Sequence, residues 1–471
     1  MPNDNTVKLI DRTISQLRGA WRDIAARVTP DGPVRSDLPG ADADRVRRKI
    51  AECLRGRGGE VSARARAADL GRLYLTLDGH GRIRFLQLLA REFGIDPAAV
   101  DAAIAAWTTA GDDPARERAE RRLRRELEPP RQKLLRQFNI LPNGIKFLVD
   151  MRGDILQLIK DAPELKPLDR DLRDLLSGWF DIGFLDLRRI DWRSPAALLE
   201  KLIDYEAVHE IRSWSDLKNR LDSDRRCFAF FHNRMPDEPL IFVEVALIEG
   251  MADNIHDLLD EAAPAHDPRA ADTAIFYSIS NAQIGLKGIS FGNFLIKRVV
   301  DRLRQEFPGL KVFATLSPMP GFRDWLDERI AAGDDGLLAK ADAKVLADLA
   351  EVEDGAAALA ALLDEDWWTR PEVASALRGP LLALGARYLL REKSGDRPRD
   401  PVTRFHLLNG ARIERINWLA DTSERGLARS AGMMVNYLYR LDEIEENHEA
   451  HTAKGAIAAA STVKGLARRR G

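Results

Sequence analysis

The chain has 471 residues, of which 45% are hydrophobic and 31% charged. That apolar content can bury a large core and excludes wholesale disorder, and the length suggests two or three domains. Lysine plus arginine number 72 against 74 aspartates and glutamates, a net charge of −2, which argues against a protein built to coat nucleic acid. The only cysteines, Cys53 and Cys227, exclude a disulfide scaffold and suit a reducing compartment. Asp4 and Asp11 interrupt the first residues, so an export or transit segment is not expected and the cytoplasm is the expected location. The sequence has no run of eighteen apolar residues, so no membrane-spanning helix and no membrane partner are expected.

Val7, Ile10, Ile14, Leu17, Trp21, Ile24 and Val28 recur at steps of three and four, which places them on one stripe of a helix. The stripe suits either an oligomer seam or an ordinary core-facing helix. Residues 116–128, RERAERRLRRELE, look basic, but Glu117 and Glu120 each precede an arginine by four residues. Such spacing stabilises a solvated helix, and the run has no aromatics for base stacking. Residues 145–160 repeat the helical pattern, and no strand is expected before residue 180.

Beyond residue 180 the period changes. Ser194-Pro195 reads as a helix start. CFAFFH and PLIFVEVAL read as strands, with NRMPDEP as the turn between them. AIFYSIS and KVFATLS are two further strands, with a helix from Phe291 to Phe307 between them. Residues 333–396 return to helix-like sequence and read as an insertion. In VTRFHLLNGARIERIN, Asn409-Gly410 lies between two apolar-rich arms and predicts a hairpin. A final helix is expected from about Ser423 to Glu446, and the last residues should be a solvated end.

Four constellations could carry chemistry. Gln283 to Asn293 follows a strand and opens a helix. Its glycines allow close backbone approach to a ligand, and Lys287 and a helix N-terminus suit a phosphate. It fits neither of the standard glycine-rich nucleotide patterns, and a structural glycine turn is the alternative. Ser317-Pro318-Met319-Pro320 ends a strand, where ligand sites are common in α/β folds; a rigid turn is the alternative. His406 lies among apolar residues, as core histidines do, yet imidazole titrates near neutrality and suits acid–base work. No GxSxG nucleophile elbow accompanies it. His448-Glu-Ala-His451 falls one residue short of HExxH and lacks a third ligand, so a wet helix end is expected there.

The segments FYSISNAQIGLKGISFGNFLIKRVV, ATLSPMPGF and RFHLLNGARIERINWLAD, followed by MMVNYLYRL, resemble the malonyl-CoA decarboxylase family in order and approximate spacing. The resemblance covers about residues 179–446 and extends more weakly over the helical front. It implies an α+β chain. Residues 1–178 would form an all-helical domain that builds a homo-oligomer. Residues 179–463 would form a mixed α/β catalytic domain with the fold of the GCN5-related acetyltransferases (GNAT) and a helical insertion, and 464–471 a basic tail. The resemblance puts the phosphates of coenzyme A on Lys287, Gly288, Ile289, Ser290, Phe291, Gly292 and Asn293. It puts Ser317 and His406 at the malonyl group, with Ser278 and Tyr439 in support. Family members often carry an acid where this chain has Ser290. Gly285 also stands only two residues after Gln283, a departure from the acetyltransferase pattern Q-x-x-G-x-G.

The implied reaction releases CO2 from malonyl-CoA and leaves acetyl-CoA. Loss of CO2 generates an enolate, so the site needs donors aimed at an oxyanion and an acid that protonates carbon. The thioester carbonyl is itself the electron sink, so no metal and no separate cofactor is expected; coenzyme A is part of the substrate. Two other functions use the same motifs. An N-acyltransferase would need an amine acceptor, and a CoA-sensing interaction protein would bind without turnover.

Overall fold

The computed structural model describes residues 17–26, 28, 32–56, 58–180, 182–289, 295–334, 336–363 and 366–468. The chain divides into two compact units. The first comprises Met1–Asp186, Phe231–Leu240 and Asn281–Phe291; the second comprises Leu187–Phe230, Ile241–Ser280 and Gly292–Gly471.

The first unit is largely helical, as the 3.6-residue period requires. Its helices include Gly40–Arg55, Glu60–Thr76, Gly79–Glu92, Pro130–Asn139, Gly144–Leu158 and Lys166–Trp179. Leu17 and Trp21 are buried in its core, so the described part of the first stripe faces inward; Val7, Ile10 and Ile14 lie outside the described residues. The Trp21 ring meets Phe147 edge-on at 4.9 Å, and Phe147 likewise meets Phe138 and Tyr74. Gly71 makes room for Trp21, because a Cβ there would stand 2.2 Å from the indole. Helix Asp113–Glu126 buries none of its residues and carries the Glu117–Arg121 and Glu120–Arg124 ion pairs. It is the solvated helix that its charge spacing predicts.

The strands begin with β1, Leu185–Ile190, β2, Arg225–His232, and β3, Met235–Ile248. They continue with β4, Thr273–Asn281, β5, Val312–Thr315, and β6, Ser317–Pro318. The pair β7, Lys393–Ser394, and β8, Arg397–Pro398, stands apart. The last are β9, Arg412–Asn417, and β10, Met434–Leu438. Eight of the described strands form one sheet in the order β1-β2-β3-β4-β5-β10-β6, with β9 on β10. β4 and β5 are parallel, from Thr273 opposite Val312 to Phe276 opposite Thr315. β4 then continues to Asn281, whereas the other chain runs on through Leu316 into β6 and stays on β10 in the same register, Ala314 opposite Leu438, Ser317 opposite Val435 and Pro318 opposite Met434. The parallel pairing of β4 with β5 therefore ends at Phe276 and Thr315. Helices Lys340–Ala350, Gly355–Leu362 and Pro371–Arg391 occupy the expected helical insertion.

Several expectations need correction. The segment RFHLL is not a hairpin arm but the end of helix Pro401–Leu408. Asp400 caps that helix by accepting from Thr403 N at 2.7 Å, and Pro401 fills its first turn. Asn409-Gly410 ends it: Gly410 N donates to Leu407 O, Ala411 N donates to His406 O, and Gly410 has φ +80°. That pair of bonds is a Schellman motif. The expected helix from Ser423 to Glu446 is broken. Glu424–Ser430 and Ile444–Lys454 are helical, but MVNYL between them is strand β10, which pairs with β5, β6 and β9. NRMPDEP is mostly strand, because only Asn233-Arg234 turns before β3 begins at Met235. Ser194 does not cap the helix Ala196–Tyr205; its Oγ accepts from Asp191 N. His448 and His451 are buried, not wet, and each ring Nδ1 meets a backbone carbonyl at 2.8 Å. Ser461–Leu466 is helical, with Val463 and Ala467 buried, where a solvated end was expected.

Gly410 combines the left-handed φ with a tight contact, since a Cβ there would lie 2.3 Å from Ile444 O. Gly410→Ala should destabilise the protein by at least the roughly 1–2 kcal/mol of a left-handed L-residue. Denaturant unfolding measures this, and an unchanged midpoint would show that the turn tolerates a side chain.

Candidate active site

β10 carries the site because its side chains alternate. Tyr437 and, one residue past the strand's end, Tyr439 point one way, while Met434 and Leu438 pack in the opposite core with Ile275, Ala314 and Leu316. The strand is pinned by Asn436, fully buried, whose Nδ2 donates to Thr315 O at 2.7 Å and Ala252 O at 3.0 Å. Its Oδ1 accepts from Asn417 Nδ2 and Arg415 Nε.

His406, on the capped helix, lies between Ser317 and Tyr439. Its Nε2 is 3.1 Å from Ser317 Oγ and its Nδ1 is 2.8 Å from Tyr439 OH. The ring stacks on Tyr437, 4.3 Å between centroids at 24°. Tyr437 OH in turn meets Thr403 Oγ1 at 2.7 Å, and Thr403 donates to Asp400. Asp400 thus both caps the helix and anchors the ring that the imidazole stacks on. Its own burial pushes its carboxyl up to about 6. Three distant stretches of sequence are brought together here, as the resemblance implies for His406, Ser317 and Tyr439. Tyr437, Thr315 and Asp400 are additions. The Asp400-Pro401 pair is a helix-start signal that could have exposed the helix beneath His406.

Burial lowers His406 from its ordinary 6.5 to about 3, so at neutral pH the imidazole carries one proton. Burial raises the Tyr439 phenol well above its usual range, so it keeps its proton and can donate to Nδ1. The ring proton then sits on Nε2 and donates to Ser317 Oγ, whose hydroxyl donates to Thr315 Oγ1 at 2.9 Å. This assignment follows from the partners and uses each of these protons once. Neither ring nitrogen meets a carboxylate, which separates the arrangement from a serine hydrolase triad.

Ser278 is held elsewhere. Its hydroxyl donates to Glu206, at 2.9 Å from Oε1 and 2.8 Å from Oε2, and lies 3.2 Å from Ser280 Oγ. Glu206 also accepts from the backbone N–H groups of Val208 and His209. Burial pushes its carboxyl above the usual range against those bonds.

In the glycine-rich segment, Ile284–Leu286 forms a single 3-10 turn. Lys287 and Gly288 are exposed, Gly288 has φ +76°, and Ile289 is buried. Ser290, Phe291, Gly292 and Asn293 lie outside the described residues. Gly285 packs on helix Gly144–Leu158 so closely that a Cβ would stand 1.8 Å from Val149 O. Arg152 of that helix donates through Nη1 to Gly285 O at 2.6 Å and Lys287 O at 2.9 Å. Both cysteines are buried free thiols, and burial pushes Cys53 up to about 12. Among the described residues, no group of three or more His, Cys, Asp or Glu is placed to hold a metal ion. No helix among them is long and apolar enough to cross a membrane.

A buried neutral imidazole thus sits between a serine and a tyrosine on a mixed sheet, an arrangement with the donors and the titratable ring that acid–base chemistry needs and with no carboxylate on either ring nitrogen. Residues 183–471 match the family model of the malonyl-CoA decarboxylase C-terminal domain, and 93–180 match that of the N-terminal domain. The chain belongs to the malonyl-CoA decarboxylase family. It is 38% identical over 418 residues to the mitochondrial malonyl-CoA decarboxylase of Anser anser anser, covering 85% of this chain and 83% of that one. The Rattus norvegicus protein of the same name is 37% identical over 402 residues, 82% of this chain and 81% of that one. The crystal structure of malonyl-CoA decarboxylase from Rhodopseudomonas palustris matches with a TM-score of 0.82 at 44% identity, over 90% of this chain and 99% of that one. The Agrobacterium vitis structure matches with a TM-score of 0.80 at 44% identity and the same coverage.

The buried imidazole has a consequence for stability. Unfolded His406 takes up a proton near pH 6.5, whereas folded His406 does so only near 3. The unfolded state therefore holds more protons across that window, and stability falls as pH drops through it. His406→Asn should reduce the slope of unfolding free energy between pH 6 and 4 by up to about 1.4 kcal/mol per pH unit. Urea unfolding at a series of pH values measures it, and equal slopes would mean the ring is not held neutral.

Proposed function

We infer that the chain is a carboxy-lyase that converts malonyl-CoA to acetyl-CoA and CO2, with Ser317 and His406 at the malonyl group. The observation that carries the reading is the Ser317–His406–Tyr439 array at 3.1 and 2.8 Å. It joins residues from separate family-like motifs into one buried donor chain.

The bond between the malonyl carboxylate and Cα breaks, its electron pair moves onto the thioester carbonyl, and CO2 departs. The Ser317 hydroxyl turns from Thr315 to hydrogen-bond the carboxylate or thioester oxygen. A single such donor contributes roughly 3–4 kcal/mol to an oxyanion. His406 orients the carboxylate, and the enolate carbon then takes a proton from it. A carboxylate arriving beside the neutral ring favours its charged form, so binding brings in the one proton the reaction consumes. Tyr439 holds the ring through Nδ1. Ser278, held by Glu206, is the second supporting hydroxyl. The thioester supplies the electron sink, so the reading requires neither metal nor separate cofactor.

We assign the coenzyme A phosphates to Lys287–Asn293 and read the sheet as a GNAT-like cradle. The end of the β4–β5 pairing at Phe276, with β4 running on to Asn281 and the other strand running on along β10, supports the second assignment. The helical domain, residues 1–178, is read as the part that forms a homo-oligomer, ahead of a catalytic domain 179–463.

Purified protein given malonyl-CoA alone, with a chelator present, should release CO2 and acetyl-CoA. The need for an added amine would instead favour an N-acyltransferase, and binding without turnover a CoA sensor. His406→Asn should lower kcat by about 10²-fold or more while leaving CoA affinity near normal; wild-type turnover by that variant would remove His406 from the mechanism. Lys287→Ala should raise KM more than it lowers kcat, because phosphate contacts contribute mainly uniform binding. An unchanged KM would place the phosphates elsewhere.

A further inference from the structure

The glycine-rich segment reaches its shape through a residue far away in sequence. Arg152 is almost wholly buried, at 2% exposure. Its Nε donates to Asp169 Oδ1 at 2.8 Å, and its Nη1 takes the carbonyl oxygens of both Gly285 and Lys287. A guanidinium presents its donors in a fixed fork, so it can hold a carboxylate and two carbonyls at once; an ammonium cannot reproduce that geometry. Gly285 has no room for a side chain against Val149 O, and Gly153 of the same helix leaves 3.8 Å between an added Cβ and Gly285 N. The segment is therefore seated on helix Gly144–Leu158 by close packing and by one buried cation.

Carbonyl oxygens turned toward an anion would repel it. Here two of them are turned inward onto a positive charge, while Lys287 and Gly288 stay exposed, Gly288 in the left-handed conformation that helps form anion-binding backbone concavities. We propose that Arg152 is the positioning residue that presents Lys287 and Gly288 to the diphosphate of coenzyme A. The proposal rests on the reading of this segment as the phosphate site. Arg152 acts on substrate only through the loop and takes no part in bond breaking.

Arg152→Lys, measured in the full chain, should raise KM for malonyl-CoA about tenfold or more with kcat within about threefold, the signature of lost uniform binding. Gly285→Ala, which keeps Arg152 but pushes the loop carbonyls away from it, should give the same signature. The malonyl thioester of N-acetylcysteamine lacks the nucleotide, so its kcat/KM should be the same for wild type and both variants. Calorimetric affinity for coenzyme A should weaken in parallel with the rise in KM. Unchanged KM and CoA affinity in the folded variants would overturn the proposal. So would equal losses on the two thioesters, which would signal general damage. If wild type binds coenzyme A but releases no CO2, the decarboxylase reading fails on its own, and the affinities of the variants still decide the role of Arg152.

Discussion

A buried imidazole in neutral form has one proton to share between two nitrogens, and both nitrogens need partners. Most of what surrounds His406 follows from that constraint. Tyr439 serves Nδ1 and Ser317 serves Nε2, so the ring is satisfied without a carboxylate and without water. A carboxylate at Nδ1 would have stabilised a charged imidazole and armed Ser317 as a base-assisted nucleophile. A phenol gives orientation without a permanent counter-charge. That suits a reaction in which the substrate itself brings the negative charge, and in which a serine that attacked the thioester would destroy it.

The supports of the imidazole come from three directions. The Schellman motif uses the His406 carbonyl, Asp400 fixes the start of the same helix, and Tyr437 supplies the face on which the ring stacks. The tyrosines can lie there because Asn436 locks β10 in register through four hydrogen bonds, in a strand buried on both faces. Slipping such a strand by one residue would exchange Tyr437 and Tyr439 for the apolar side chains that fill the opposite core.

Much of this was legible in the sequence. The helical front and the solvated charged helix follow from periodicity, and the strands around Cys227, Val243, Phe276 and Phe313 follow from short β-branched and aromatic runs bounded by turn residues. The failures have physical causes. β10 is buried on both faces, so it lacks the alternation that marks a strand. Asn409-Gly410 can close a hairpin or end a helix; the Asp-Pro pair nine residues upstream, not the turn itself, decides between them. From the residues alone His406 looked like a core histidine, and it is buried as one; only the family-like motifs tied it to Ser317 and Tyr439. Arg152 and Thr315 carry no local signal, since their work depends on contacts across as many as 135 positions of sequence.

The matches to the two family domains change over between residues 180 and 183, yet the turn Ile284–Leu286 belongs to the compact unit of the helices that precede that boundary. Gly285 is moulded to Val149, and two of the loop's carbonyls are neutralised from Arg152. Chimeras of related chains joined at residue 181 would therefore pair one parent's loop with the other parent's seat. The physical demand on one side of helix Gly144–Leu158 and on the turn Ile284–Leu286 is thus a shared one, as for the two halves of a mortise joint.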